Sequence, residues 1–166
     1  MLDIIKSRRS IRRFKKQEVH GTLLREIIEA GTWAPSGLNN QPWKFAVIKN
    51  REVKDTIAGL TEYGSIIRNA PVCIAVFLDT DLSYDRTKDI QAVGACIQNM
   101  LLQIHALGLG AVWLGEILKN GPKVQELLAV PRNVEFMALI ALGYPAEKGV
   151  VSERKKTEEM IFGELS

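Results

Sequence analysis

The segment Asp89–Glu116 reads DIQAVGACIQNMLLQIHALGLGAVWLGE. Ile90, Val93, Ile97, Met100, Leu101, Ile104 and Leu107 recur at the three- and four-residue spacing of a helix face. Ala92, Gly94, Ala95 and Cys96 keep much of the other side small or apolar. This predicts a helix over 89–107 that lies in the middle of a fold or against a second subunit. Gly108 is placed to stop it. Leu109–Leu114 (LGAVWL) then reads as a strand.

Working outward, Pro71–Leu78 (PVCIAVFL) and Glu135–Leu142 (EFMALIAL) are continuous apolar runs of strand length, the second stopped by Gly143-Tyr144-Pro145. Phe45, Val47 and Ile48 predict another strand. Arg51–Leu60 and Lys123–Leu128 predict short helices, and Leu2–Lys6 a helical turn ending at Ser7. Leu23, Leu24, Ile27 and Ile28 predict a helix with Thr22 as its cap and Gly31 as its stop. Helices and strands interleave, so the class is mixed, α+β. The tail, Val150–Ser166, mixes charges with Met160, Ile161 and Phe162.

The 166 residues are 46% hydrophobic and 25% charged, ordinary for a globular chain and unlike disordered or collagen-like sequence. One domain, 1–166, is the expectation at this length. No apolar run approaches the roughly 20 residues of a membrane helix, and Met1-Leu2-Asp3 leads directly into charged residues without a signal-peptide core. Cys73 and Cys96 lie far apart in apolar stretches, the pattern of buried thiols in a reduced, cytoplasmic protein rather than of a disulfide or metal site.

Lys and Arg total 22 against 19 acidic residues, a formal charge of +3. Seven of the cations fall between Lys6 and Lys16, which holds no acid, so the remainder of the chain is net acidic. A nucleic-acid binder shows a broader basic face. A compact anion such as a phosphate monoester needs only a few converging cations and N–H donors.

Three segments carry the residue types of a site. In Ser7-Arg8-Arg9-Ser10-Ile11-Arg12-Arg13-Phe14, guanidinium forks match phosphate oxygens, and Arg8, Ser10 and Arg12 share one side if the segment is extended. Pro35-Ser36-Gly37-Leu38-Asn39-Asn40-Gln41-Pro42-Trp43 offers amides, backbone donors and acceptors and an aromatic plane, the mixture a flat heterocycle needs. Gly110–Glu116 is a strand that ends in Gly115, where a ligand can approach the backbone. Taken singly, the first is equally a solvated basic turn, while the second and third read more simply as a helix-to-strand connection and a plain strand terminus.

In order and spacing, however, RRSIRRF, APSGLNNQPWKF, QNMLLQIHALGLGAVWLGE and LIALGYPAE followed by ERKKTEEM resemble the FMN-dependent nitroreductase family over Ser7 to about Met160. The resemblance implies a three-layer fold, a central mixed or antiparallel sheet flanked by helices, in a domain-swapped homodimer that exchanges its tails. It implies that Arg8, Arg9, Ser10 and Arg12 hold the FMN phosphate and ribityl chain, with Arg154 and more weakly Lys155 reaching it from the tail. Pro35, Ser36, Gly37 and Asn39 would approach the ring from the opposite subunit. Leu114, Gly115 and Glu116 would lie beside it, with a backbone N–H toward the flavin N5. Two positions depart from the family: Ser152 stands where a second basic residue is common, and Tyr63 where some members use an amide.

The implied activity is a ping-pong oxidoreductase in which NAD(P)H reduces FMN and a small-molecule nitroaromatic, quinone or similar acceptor takes two electrons. That agrees with a chain whose two histidines, His20 and His105, fall outside the three segments, because flavin supplies the difficult chemistry itself. Reductive dehalogenation, flavin breakdown and flavin storage would use the same residues and stay open. A nucleic-acid module built on Lys6–Lys16 is the remote alternative, and it leaves the other two segments without a role.

Overall fold

The fold, taken from a computed structural model that describes residues 1–163, is built on one four-stranded sheet in the order β1 (Trp43–Ile48), β2 (Val72–Asp79), β4 (Val134–Gly143) and β3 (Gly110–Leu114). Every pairing between these strands is antiparallel, so the sheet is antiparallel rather than mixed. The one parallel pairing among the described residues is an isolated bridge from Ser10 to Ala111, which lays the basic segment along the edge strand β3.

Because both central strands are apolar apart from Asp79 and Glu135 near their ends, each face of the sheet must be covered. Ile74, Val76, Leu78, Ile140 and Leu142 pack on one face against α2 (Gly21–Thr32) and α5 (Arg86–Ala106). Cys73, Ala75, Phe77, Leu139 and Ala141 pack on the other against α3 (Arg51–Ala58), α4 (Gly64–Asn69) and α6 (Gly121–Leu127). The expected three layers result. The register shifts between Val76 and Phe77, where Val76 faces Ala138 but Phe77 faces Phe136. The extra residue, Met137, flips the parity of β4 and brings Phe136 edge-on to Phe77 at 5.8 Å.

The short helix α1 (Leu2–Ser7) precedes the basic segment. The long helix α5 begins three residues earlier than its apolar spacing predicts, because the Asp85 side chain accepts from the Lys88 N–H and caps it. It buries Val93, Ile97, Met100, Leu101 and Ile104 of the expected face together with Ala92 and Cys96 from the side expected to be merely small, whereas Ile90 is exposed and Leu107 lies just beyond the helix end. Gly108, at φ 73°, ends it. Two local expectations fail on α2. Thr22 lies inside the helix rather than capping it; the N-cap is His20, without a side-chain bond. Gly31 does not stop it either. It permits close packing, since a Cβ there would sit 2.7 Å from Met100 Cγ and 3.0 Å from Cys96 Sγ. The helix α4 was not expected from the sequence.

No helix among the described residues is long and apolar enough to cross a membrane. The tail from Val150 to Gly163 is exposed throughout and adds no strand to the sheet.

Candidate functional site

Two neighbouring cavities share Arg12. The first, about 390 Å³, is lined by Arg8, Arg9, Ser10, Arg12, Val150, Ser152 and Arg154, four cations with no carboxylate among them. The fold places them there by short links. Ile11 turns inward onto Gly110, which has no Cβ to obstruct it, and its N–H donates to the Ala111 carbonyl at 2.9 Å. That fixes the flanking Ser10 and Arg12 beside β3. Glu147 accepts from the Arg12 N–H at 2.9 Å and from Arg13 Nε at 2.7 Å, so the chain after β4 returns alongside the basic segment. Arg154 then reaches the cavity, its Nη1 donating to Ser152 Oγ at 2.6 Å.

Crowding shows in the charge. Burial first, then the neighbouring Arg9 and Arg154 cations, pull the Arg8 guanidinium below its ordinary pKa. Arg9 differs from the rest: its Nη1 donates to the Lys6 and Arg8 carbonyls at 2.6 and 2.8 Å. Arg9 thus braces the turn as well as lining the cavity.

The second cavity, about 260 Å³, is lined by Arg12, Tyr63, Val112, Trp113, Leu114, Gly115 and Glu116. Alternation along β3 buries the Val112 and Leu114 side chains and leaves Trp113 42% exposed. Leu114 therefore presents only its backbone here. Gly115 has φ −95°, which any residue adopts, and no atom lies within 4 Å of where its Cβ would be. The protein leaves that space open. A 3₁₀ turn, Glu116–Asn120, starts at this point, so its first N–H groups lack helical partners. The Glu116 carboxylate accepts from Lys119 and Thr61. The Lys119 bond first, then that of Thr61, holds it below the usual carboxylate range.

Of the expected residues, Arg8, Arg9, Ser10, Arg12 and Arg154 line one cavity and Leu114, Gly115 and Glu116 the other. Ser152 and Tyr63 line them too, while Lys155 is exposed and lines neither. Pro35, Ser36, Gly37 and Asn39 line neither. Their loop instead packs on Tyr84 and Asp89 within its own chain. Trp113 was missed as a site residue, although its place one residue before Leu114 on an edge strand signals that it faces outward. His105 has a structural partner, with Nε2 2.8 Å from Ser7 Oγ. Burial pushes the thiols of Cys73 and Cys96 up to about 12.

The arrangement suits a flat ligand with a dianionic end: crowded cations at one cavity, an aromatic-walled strand end with open space at the next. Comparison with known proteins agrees. The family model described as the nitroreductase family matches residues 5–63 and 60–144. A candidate NADH dehydrogenase/NAD(P)H nitroreductase of Methanothermobacter thermautotrophicus is 38% identical over 149 residues, covering 89% of this chain and 78% of that one. An NADH dehydrogenase of Thermus thermophilus is 30% identical over 190 residues, covering 93% and 91%. A crystal structure of a candidate nitroreductase from Desulfovibrio desulfuricans, in complex with FMN, superposes with a TM-score of 0.94 at 47% identity, covering 99% of this chain and 96% of that one.

Proposed function

The chain belongs to the nitroreductase family, and from that premise we propose that it is an FMN-dependent oxidoreductase that draws electrons from NAD(P)H. The observation that carries the reading is the convergence of Arg8, Arg9, Ser10, Arg12 and Arg154 on one cavity with no neutralising acid among the described residues. A phosphate dianion relieves that repulsion and accepts bidentate guanidinium bonds. FMN would be held there by its phosphate, with its ring toward Trp113, Gly115 and Tyr63 in the adjoining cavity.

Bound FMN would supply the redox step, accepting a hydride from NAD(P)H and returning two electrons to an electrophilic acceptor such as a nitroaromatic or quinone. The chain's own residues bind and orient. Arg8, Arg12 and Arg154 neutralise the phosphate, and Ser152 holds Arg154 in place. The backbone at Gly115 and Glu116 offers N–H donors at the strand end. Thr61 and Lys119 keep the Glu116 carboxylate paired, so it does not repel an electron-rich ring. Only residues 80–85 connect β2 to α5, a short link that would leave the site unroofed and favour broad acceptor tolerance.

The whole chain, 1–166, acts in this reading as one FMN-binding domain of a homodimer. Trp33 and Leu38 are 80% and 85% exposed, and Met160, Ile161 and Phe162 lie bare on the tail. A second copy would cover them, and would bring the loop carrying Pro35, Ser36, Gly37 and Asn39 to its partner's flavin. Obligate interfaces of that kind bury upwards of about 2,000 Å². Light scattering should return a dimer; a monomer would remove this part of the reading.

The test of the whole is direct. Purified protein should be yellow, or turn yellow with added FMN, and should bleach anaerobically with NADH or NADPH. Protein that takes up no FMN ends the reading.

A further inference from the structure

The loop between α2 and β1 is held in an unusual backbone. Leu38, Asn39 and Gln41 have φ of 54°, 55° and 47°, the left-handed region that residues with a Cβ avoid. Three such residues within four persist only if their surroundings over-determine them. Inside the loop, the Gln41 N–H donates to Ser36 Oγ at 3.0 Å. The hold from outside comes from Asn40, whose Nδ2 donates to Asp89 Oδ1 at 2.7 Å and to the Leu82 carbonyl at 2.9 Å. Tyr84 adds a steric stop, since a Cβ on Gly37 would overlap its hydroxyl.

Asp89 is 0% exposed, in the first turn of α5. Its two oxygens are used differently. Oδ2 accepts from Ser83 Oγ at 2.6 Å and from the Tyr84 and Asp85 N–H groups at 3.1 and 3.2 Å, all within its own connection. Oδ1 accepts from Asn40. Asp89 is not the helix cap, a place taken by Asp85. The orientation of the Asn40 amide is forced, because both neighbours of Nδ2 are acceptors. In consequence its Oδ1 is buried without a partner among the described residues, an unfavourable arrangement retained in return for two N–H bonds.

We propose that Asn40 and Asp89 are positioning residues for flavin binding, a partly buried amide–carboxylate latch that fixes Pro35, Ser36, Gly37 and Asn39 in the arrangement they would present to a partner subunit's flavin, without touching flavin themselves. The inference rests on the FMN and homodimer reading above and adds to it the pair that makes the loop rigid before the ligand arrives. Preorganisation of this kind appears as affinity.

The test is Asn40→Ala in the full chain, with FMN as the ligand. Removing two hydrogen bonds, one of them to a buried carboxylate, should raise the FMN Kd about tenfold. In FMN-free protein, amide exchange at Leu38–Gln41 should accelerate by about tenfold while the amides of β2 and β4 keep wild-type protection. The visible circular dichroism of bound FMN should weaken, a signature that a purely structural role would not move. Arg8→Ala serves as the contrast: it should raise the Kd and leave loop exchange unchanged.

If Asn40→Ala does not fold, Ser83→Ala carries the test. It removes one donor to Asp89 outside the loop, and a Kd rise of about threefold is expected. Unchanged loop exchange, or a Kd within about twofold of wild type despite faster exchange, overturns the latch. Wild-type protein that binds no FMN overturns the flavin reading and this inference with it. That failure is recognisable because the wild type, not the variant, is defective.

Discussion

Replacing Arg8 by alanine should move two properties in opposite directions. Its guanidinium is half-buried against Arg9 and Arg154, and the causes of its lowered pKa are burial and those two cations, with no stabilising partner among them. In flavin-free protein Arg8 is therefore a source of repulsion, and Arg8→Ala should leave the urea midpoint unchanged or slightly raised. With FMN present the same side chain supplies a charge-assisted phosphate bond, worth about 1.5–3 kcal/mol, or roughly 10- to 150-fold in Kd. Adding Arg154→Ala should weaken binding further, though by less than the product of the single effects, since the two cations share one ligand. The assay is a fluorescence-quenching titration of FMN with flavin-free protein, paired with urea unfolding of the same samples. The binding should also weaken with salt in wild type and less so in each variant. The reasoning is refuted if the Kd of both single variants stays within about threefold of wild type. It is refuted equally if Arg8→Ala lowers flavin-free stability by more than about 2 kcal/mol, the mark of a structural arginine.

Three other outcomes are expected. Burial alone would raise the Asp89 carboxyl, but the bonds from Ser83, Asn40 and the Asp85 and Tyr84 N–H groups outweigh it and hold the pKa below the ordinary value. Its ionised form thus contributes stability above about pH 4 that is lost as pH falls through the folded value; urea unfolding from about pH 6 down to pH 3 should show this acid loss, and Asp89→Asn should flatten it. Gly31→Ala should destabilise by about 1–3 kcal/mol, because the overlap with Met100 and Cys96 outweighs the usual helical gain from alanine; denaturant unfolding that shows stabilisation would contradict the packing. The Cys73 and Cys96 thiols, pushed up to about 12 by burial, should stay silent to an aromatic disulfide reagent until denaturant unfolds the chain, and prompt native reaction would mean the core opens.

The elements that repeat a local period were legible in the sequence. The apolar spacing of 89–107 follows from helical pitch, and PVCIAVFL and EFMALIAL are strands because both faces of the sheet are covered. The basic segment and the strand ending in Gly115 could be named as cavity-lining pieces from residue type and family resemblance, whereas the proline-bounded loop named with them lines neither cavity. What escaped depends on partners far along the chain. The helix Gly64–Asn69 has six residues and no period to detect. It forms because Ile66 and Ile67 bury against the sheet, and because Lys54 Nζ donates to the Ala70 carbonyl just beyond its end, at 2.5 Å. Likewise, nothing local sets Arg154 beside Arg8 or Tyr63 beside Gly115, and nothing local pairs Asn40 with Asp89. Those meetings are fixed by strand register and by Gly110 and Gly143, where a missing Cβ lets Ile11 and Pro71 close on the sheet. Sequence set which segments could carry charge, amide and open backbone; only the register of a folded sheet decided which of them meet.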